Sequence, residues 1–213
     1  MTTHTPCEQN PTSEAVAAQT TIEHSSCWHS AIKTAFALWL LATVVCGLAY
    51  PLLMTGIGQL LFPWQSNGSL LFDSQHRLRG SALLGQQFST AGYFHGRPSA
   101  SDYKSGAASN LAQSNPALVA EIRQRYAYWH QQRPDQPVPS QLVYASASGL
   151  DPEIDLSTAL YQAPLVAAAR QVPVADVEAL VQQLAQHAGR EEPIVNVLQL
   201  NMALDTAKLL SVR

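Results

Sequence analysis

The stretch AFALWLLATVVCGLAYPLLMTGIGQLLF, from Ala35 to Phe62, decides how the rest of the chain is read. It lies within a longer run, Thr34 to Phe72, of 39 residues without one Asp, Glu, Lys or Arg, where the 13% charge of the whole chain predicts about five. About 20 apolar residues are enough to cross the hydrocarbon of a bilayer. The segment 33–60 therefore reads as a single transmembrane helix. A buried helix of a soluble core is seldom so long and so apolar. A cleaved signal peptide is the nearer competitor, but its apolar part usually runs to ~7 to 15 residues, and here a leader of 33 residues comes first. The helix is expected to remain as an anchor.

Within this helix Thr43, Gly47, Pro51 and Thr55 recur every four residues, which sets small side chains on one face where another helix could approach closely. A second explanation stays open, since Gly and Pro are commoner in membrane helices generally. Pro51 predicts a kink. Trp64 is better placed than Trp39 for a membrane–water interface. Charge does not orient the helix: Lys33 stands against Glu8, Glu14 and Glu23 on one side, with Arg77 and Arg79 on the other.

Residues 1–32 are rich in Thr, Ser, Gln, Pro and His and have little to bury, so a flexible tail is expected. His4, His24 and His29 with Cys7 and Cys27 fit no zinc spacing. The last cysteine is Cys46, so no disulfide framework exists beyond the helix. Residues 64–213 are long enough for one compact domain.

Inside that domain SLLFD, SALLG and QLVYAS (Gln141 to Ser146) read as short strands. Asn115 before Pro116 caps a helix over PALVAEIRQRYAYWHQQ, and further helices are expected over Leu156 to Ala169, Pro173 to Ala188 and Asn196 to about Leu210. The fold class is a single N-terminal transmembrane α-helix followed by one mixed α/β (α+β) soluble domain.

Catalytic signatures are missing from the sequence. It contains no G-x-S-x-G elbow, no H-E-x-x-H pair and no G-x-x-x-x-G-K-[ST] loop. His76, His95, His130 and His187 are scattered and read as surface or packed side chains. Asp151, Glu153 and Asp155 read as helix-capping carboxylates. A net charge of -3 excludes a broad nucleic-acid-binding face. The distinctive features are strings of small and turn-forming residues, YFHGRPSASDY, SNLAQSNPAL and YASASGLDPEI. SASGLDP is expected to lead from a strand into a helix, either as an anion-holding turn or as an ordinary loop. Arg97 has a similar pair of readings, a bound carboxylate or phosphate against an internal salt bridge.

These strings, with YQAPLVAAAR (Tyr161 to Arg170) and VNVLQLNMALD (Val195 to Asp205), follow one another in an order that resembles the C subunit of the Kdp-type potassium-transporting ATPase. The likeness runs from about Leu38 to Asp205. It implies a non-catalytic, single-pass subunit of a bacterial inner-membrane complex, with the N-terminus in the cytoplasm and the domain in the periplasm. The implied partners are a channel-like potassium-translocating subunit, a P-type ATPase catalytic subunit, a small single-helix subunit and the lipid bilayer. Potassium is then the transported ion and ATP acts at the level of the complex, this chain holding no cofactor of its own. The expected role is assembly and support of the potassium-translocating subunit. An alternative implied by the family is a catalytic chaperone that raises ATP affinity through Ser146, Ser148 and Gly149; a membrane-anchored periplasmic hydrolase is a third, unrelated class. The chain departs from the family pattern at His95, where tryptophan is usual, at Tyr144, at Glu153, at Pro173, and in a short loop between Ala188 and Pro193.

Even beyond the uncharged run, residues 73–213 carry only 23 charges (11 basic, 12 acidic) among 141 residues, below the ~25% of ordinary domains. So lightly charged a surface suits one pressed against partners.

Overall fold

The computed structural model describes residues 13–187, 189 and 191–207, with side chains described from Trp28 onward. The expected tail over 1–32 falls partly outside these residues; from Ser13 the chain is helical, and His4 and Cys7 are among the residues not described. Two compact units meet at the Ser66–Asn67 junction.

The first unit is almost entirely helical: α1 (Ser13–Val44), a π-helical turn (Val45–Ala49), α2 (Tyr50–Leu61) and the short α3 (Pro63–Ser66). Its apolar part, Trp28–Leu61, spans 34 residues, which at about 1.5 Å per residue is about 51 Å, more than the ~30 Å of hydrocarbon. The chain stays helical through Pro51. Proline lacks an N–H and its ring crowds the carbonyl four residues back, and the π turn just before it supplies the adjustment, with the Tyr50 N–H donating to Val45 O. Where the sequence predicts a kink, the structure has a widened turn.

The second unit begins with an antiparallel hairpin, β1 (Leu70–Phe72) and β2 (Leu78–Ser81), pairing Leu70 with Ser81 and Phe72 with Leu78 across a bulge. β2 comes before the expected SALLG strand, most of which forms the turn that follows. A long irregular segment leads to α4 (Pro116–Gln132), capped by Asn115 Oδ1, which accepts from the Ala117 N–H at 2.9 Å. QLVYAS is not a strand. Its first half is a single helical turn, α5 (Ser140–Val143), started by Pro139.

The remainder packs tightly. β3 (Glu153–Asp155) runs into α6 (Leu156–Arg170), α7 (Val174–Leu184) follows, and β4 (Ile194–Asn196) runs into α8 (Val197–Thr206). β3 and β4 pair antiparallel, so α6 and α8 leave the two-stranded sheet from its opposite ends. Ala159, Ala163, Val166 and Ala167 of α6, Val177 and Val181 of α7, and Leu200 and Leu204 of α8 form the main core with Ile154, Val195 and Phe94. A smaller core joins Trp129, Leu142 and Tyr161. α7 ends at Leu184, earlier than expected, because the chain turns to bridge Gln186 with Ile194. The carboxylates of the 151–155 cluster do not cap α6: Asp155 sits at the N-cap without a side-chain bond, and Glu153 belongs to β3.

Candidate functional site

Both the amide hydrogen and the carbonyl of a buried backbone need partners, and a carboxamide is the neutral side chain that can supply a donor and an acceptor together. The domain uses this twice in succession. Asn201 of α8, 2% exposed, accepts from the Phe94 N–H at 2.9 Å and donates to Phe94 O at 3.0 Å. Gln162 of α6, 1% exposed, does the same for His95, at 2.8 and 3.0 Å. The YFHGRPSA string is thereby held like a strand, with side chains in place of a neighbouring strand. Gln141 Oε1 likewise accepts from the Asp155 N–H at 2.8 Å, and Asn196 Nδ2 donates to Ala82 O at 2.8 Å.

Charge adds to the lock at its two ends. Arg170 at the end of α6 is buried, donates to Gly92 O, pairs with Asp205 Oδ1 at 3.0 Å and lies 4.7 Å from the centre of the Tyr93 ring. The Tyr93 hydroxyl bonds Asp205 Oδ2 at 3.2 Å. At the other end the Arg97 guanidinium meets Asp151 at 3.0 Å, so of its two readings the structure has the internal salt bridge.

Ser146, Ser148 and Gly149 form a tight turn that follows α5 and leads into β3, the reverse of the strand-to-helix order the sequence suggests. Ser146 is buried and its N–H donates to Pro98 O at 2.9 Å. The Ser146 and Ser148 hydroxyls lie 3.0 Å apart, Ser146 Oγ accepts from the Gly149 N–H and Ser148 Oγ from the Leu150 N–H. Gly149 has φ +70°, and a Cβ there would stand 2.4 Å from Ala107 O. The turn fastens the segments around Pro98 and Ala107 to the end of α5.

An open cavity of about 420 Å³ lies beside the held string, lined by His95, Tyr103, Glu121, Arg125, Tyr128 and Trp129 among others. Burial lowers the pKa of His95 below its ordinary value, keeping a neutral imidazole edge-on to Trp129 at 5.3 Å. Burial raises that of Tyr103, opposed by the Arg125 charge. Among the described residues no group of three or more His, Cys, Asp or Glu, including His76, His95, His130 and His187, is arranged to hold a metal ion.

In the first unit no residue of the π turn or of α2 is buried. Thr43 Oγ1 donates to Trp39 O at 2.8 Å, and a Cβ added at Gly47 would touch only Thr43. A four-residue repeat outruns the 3.6-residue α turn and drifts around the helix, and the wider π turn between Thr43 and Pro51 takes up part of that drift.

Sequence reading missed Gln162, Asn201, Arg170 and Asp205, although a signal was present. Ala159, Gln162, Ala163, Val166 and Arg170 share one stripe of α6, and Val197, Leu200, Asn201 and Leu204 one stripe of α8, so polar residues stand where the period calls for core.

The chain matches the family model described as K+-transporting ATPase, c chain, over residues 32–206. It is 48% identical over 176 residues to a potassium-transporting ATPase KdpC subunit of Pseudomonas putida, covering 82% of this chain and 95% of that one. The KdpC subunit of Pectobacterium atrosepticum is 46% identical over 186 residues, covering 83% and 97%, and that of Yersinia enterocolitica 48% over 186 residues, covering 83% and 92%.

Proposed function

Because this chain belongs to the KdpC family, the c chain of K+-transporting ATPases, we propose that it assembles and supports an ATP-driven potassium importer as its non-catalytic accessory subunit. Its partners are the channel-like subunit that carries potassium, the P-type ATPase subunit that hydrolyses ATP, and a small single-helix subunit. The observation that carries this reading is where the polar groups of the family's strings point. They are turned inward onto one another, in the Phe94–Asn201, His95–Gln162 and Arg170–Asp205 contacts, and build a firm, lightly charged module that follows the anchoring helix in the chain.

The helix face of Thr43, Gly47, Pro51 and Thr55 is the contact we assign to a partner helix in the membrane. Introducing Gly47→Leu fills the space in which that helix would approach. The channel-like subunit should then no longer co-purify. Unchanged co-purification removes this face as the contact.

The domain faces the periplasm and the N-terminus the cytoplasm. With Cys7, Cys27 and Cys46 replaced, a cysteine introduced at the exposed Gln113 should react with a membrane-impermeant maleimide added from the periplasmic side. Labelling from the cytoplasmic side alone overturns the orientation.

Contact of Ser146, Ser148 and Gly149 with nucleotide is the competing reading, supported by the exposed position of Ser148. ATP is cytoplasmic, so a periplasmic loop cannot reach it in the intact complex. Photo-crosslinking of an ATP analogue in intact membranes separates the two: labelling of this subunit that Ser146→Ala with Ser148→Ala abolishes would establish nucleotide contact.

A further inference from the structure

The exposed apolar side chains of the second unit are unevenly placed. Among its described residues Leu70, Phe72, Leu78, Leu83 and Leu84 stand exposed within fifteen positions, whereas from Gly85 onward the large exposed apolar residues are three tyrosines and Val174. Phe72 and Leu78, 52% and 57% exposed, are cross-strand partners beside the hairpin turn and so present one apolar tip. The turn is held in shape. Asp73 accepts from the Gln75 and Arg77 N–H groups and from Arg77 Nε, each at 2.9 Å. Arg77, with 66% of its side chain exposed, stands directly beside that tip.

Covalent reach limits what this tip can meet. Four Cα–Cα steps separate Ser66, at the end of the membrane unit, from Leu70, so the hairpin starts within about 15 Å of that end whatever the orientation of the domain. Leucine and phenylalanine backed by arginine are the side chains that partition into the boundary between headgroups and acyl chains.

We propose that the β1–β2 hairpin is a second membrane contact of this chain, seating Phe72, Leu78, Leu83 and Leu84 in the bilayer surface with Arg77 at the phosphate level. The partner is a phospholipid surface. A protein surface is the alternative occupant, and the experiment decides between them. This inference rests on the membrane-anchor reading of the helix.

The test uses the full chain in phosphatidylethanolamine/phosphatidylglycerol vesicles, alone and within the assembled complex. An environment-sensitive fluorophore is attached in separate preparations at Phe72→Cys, Leu83→Cys, Tyr144→Cys and the native Cys46, the other cysteines being replaced, and is quenched by spin-labelled lipid. Expected is quenching at positions 72 and 83 at least about twofold stronger than at position 144, in the chain alone and in the complex, as for side chains lying at the acyl boundary. Quenching at Cys46 with position 72 no different from 144 overturns the proposal while the anchor stands. Quenching at 72 that is relieved in the complex also overturns it, in favour of a protein occupant. Without quenching at Cys46 the anchor reading itself fails, and the hairpin proposal fails with it.

Discussion

The membrane helix and the domain that follows it in the chain solve opposite problems with the same shortage of charge. In the helix the backbone groups bond within the segment and the large described side chains are exposed, so Leu48, Leu52 and Leu60 are left for lipid or another protein to cover. In the domain the neutral polar residues face inward. Asn201 and Gln162 meet backbone that lies 107 and 67 positions away, and the only buried guanidinium among the described residues, Arg170, closes one end of the arrangement. One region is finished by its surroundings and the other by itself. A low count of charged residues therefore indicates neither membrane nor interface until the direction of the remaining polar groups is known.

The sharpest way to break this contrast is Arg170→Ala. It leaves Asp205 without its main ion pair and Gly92 O without its donor, and should cost about 3–5 kcal/mol, read as a fall in the denaturant midpoint of the domain. A small change would mean that the interior is not organised around this group. Next comes Asn201→Leu. It fills the space but strands the Phe94 N–H and C=O, for a loss of roughly 2–4 kcal/mol, with Gln162→Leu close behind because His95 is less deeply placed. Equal stability of Asn201→Leu and the parent would show that water replaces the clamp.

Gly149→Ala should destabilise by about 1–3 kcal/mol, since an L residue at φ +70° is strained and its Cβ meets Ala107 O. A calorimetric melt measures it. The effect of His95 is smaller and depends on pH. Its folded pKa is lowered below 6.5, so the unfolded chain binds the proton more readily; the stability from a neutral His95 is complete above about 6.5 and is lost as pH falls toward the folded value. Melts across pH 7.5 to 5.5 should thus fall less steeply for His95→Phe than for the parent, and identical slopes would remove the linkage. At the bottom of the scale, Gly47→Ala should leave the melting of the domain unchanged to within about 0.5 kcal/mol, because a Cβ there touches only Thr43. A larger shift would join two regions that the contrast keeps apart.

Legibility followed the same division. The helix could be read from Ala35 to Phe62 because crossing a bilayer is a requirement on consecutive residues, and α4 because Asn115 and Pro116 sit side by side. β3 and β4 were invisible: each has three residues, and Ile154 pairs with Val195 across a separation that no local pattern records. QLVYAS has strand-forming composition, yet Pro139 starts a helical turn and Gln141 is drawn to the Asp155 N–H. The resemblance rests on these strings but said nothing of how they bond to one another in the fold. Their work is mutual, and pairing between distant strings cannot be seen in any one of them.

The clamps also impose an order of events during synthesis. The membrane helix leaves the ribosome early, complete in its own hydrogen bonds and ready for insertion. The segment around Phe94 follows, but it cannot close until Gln162 has emerged and cannot finish until Asn201 has, so it must wait for more than a hundred further residues. Anchoring comes before folding, and the nascent domain stays open at the membrane until translation reaches α8. A partner subunit that recognises the closed form would in effect pass over chains whose synthesis stopped short of that helix.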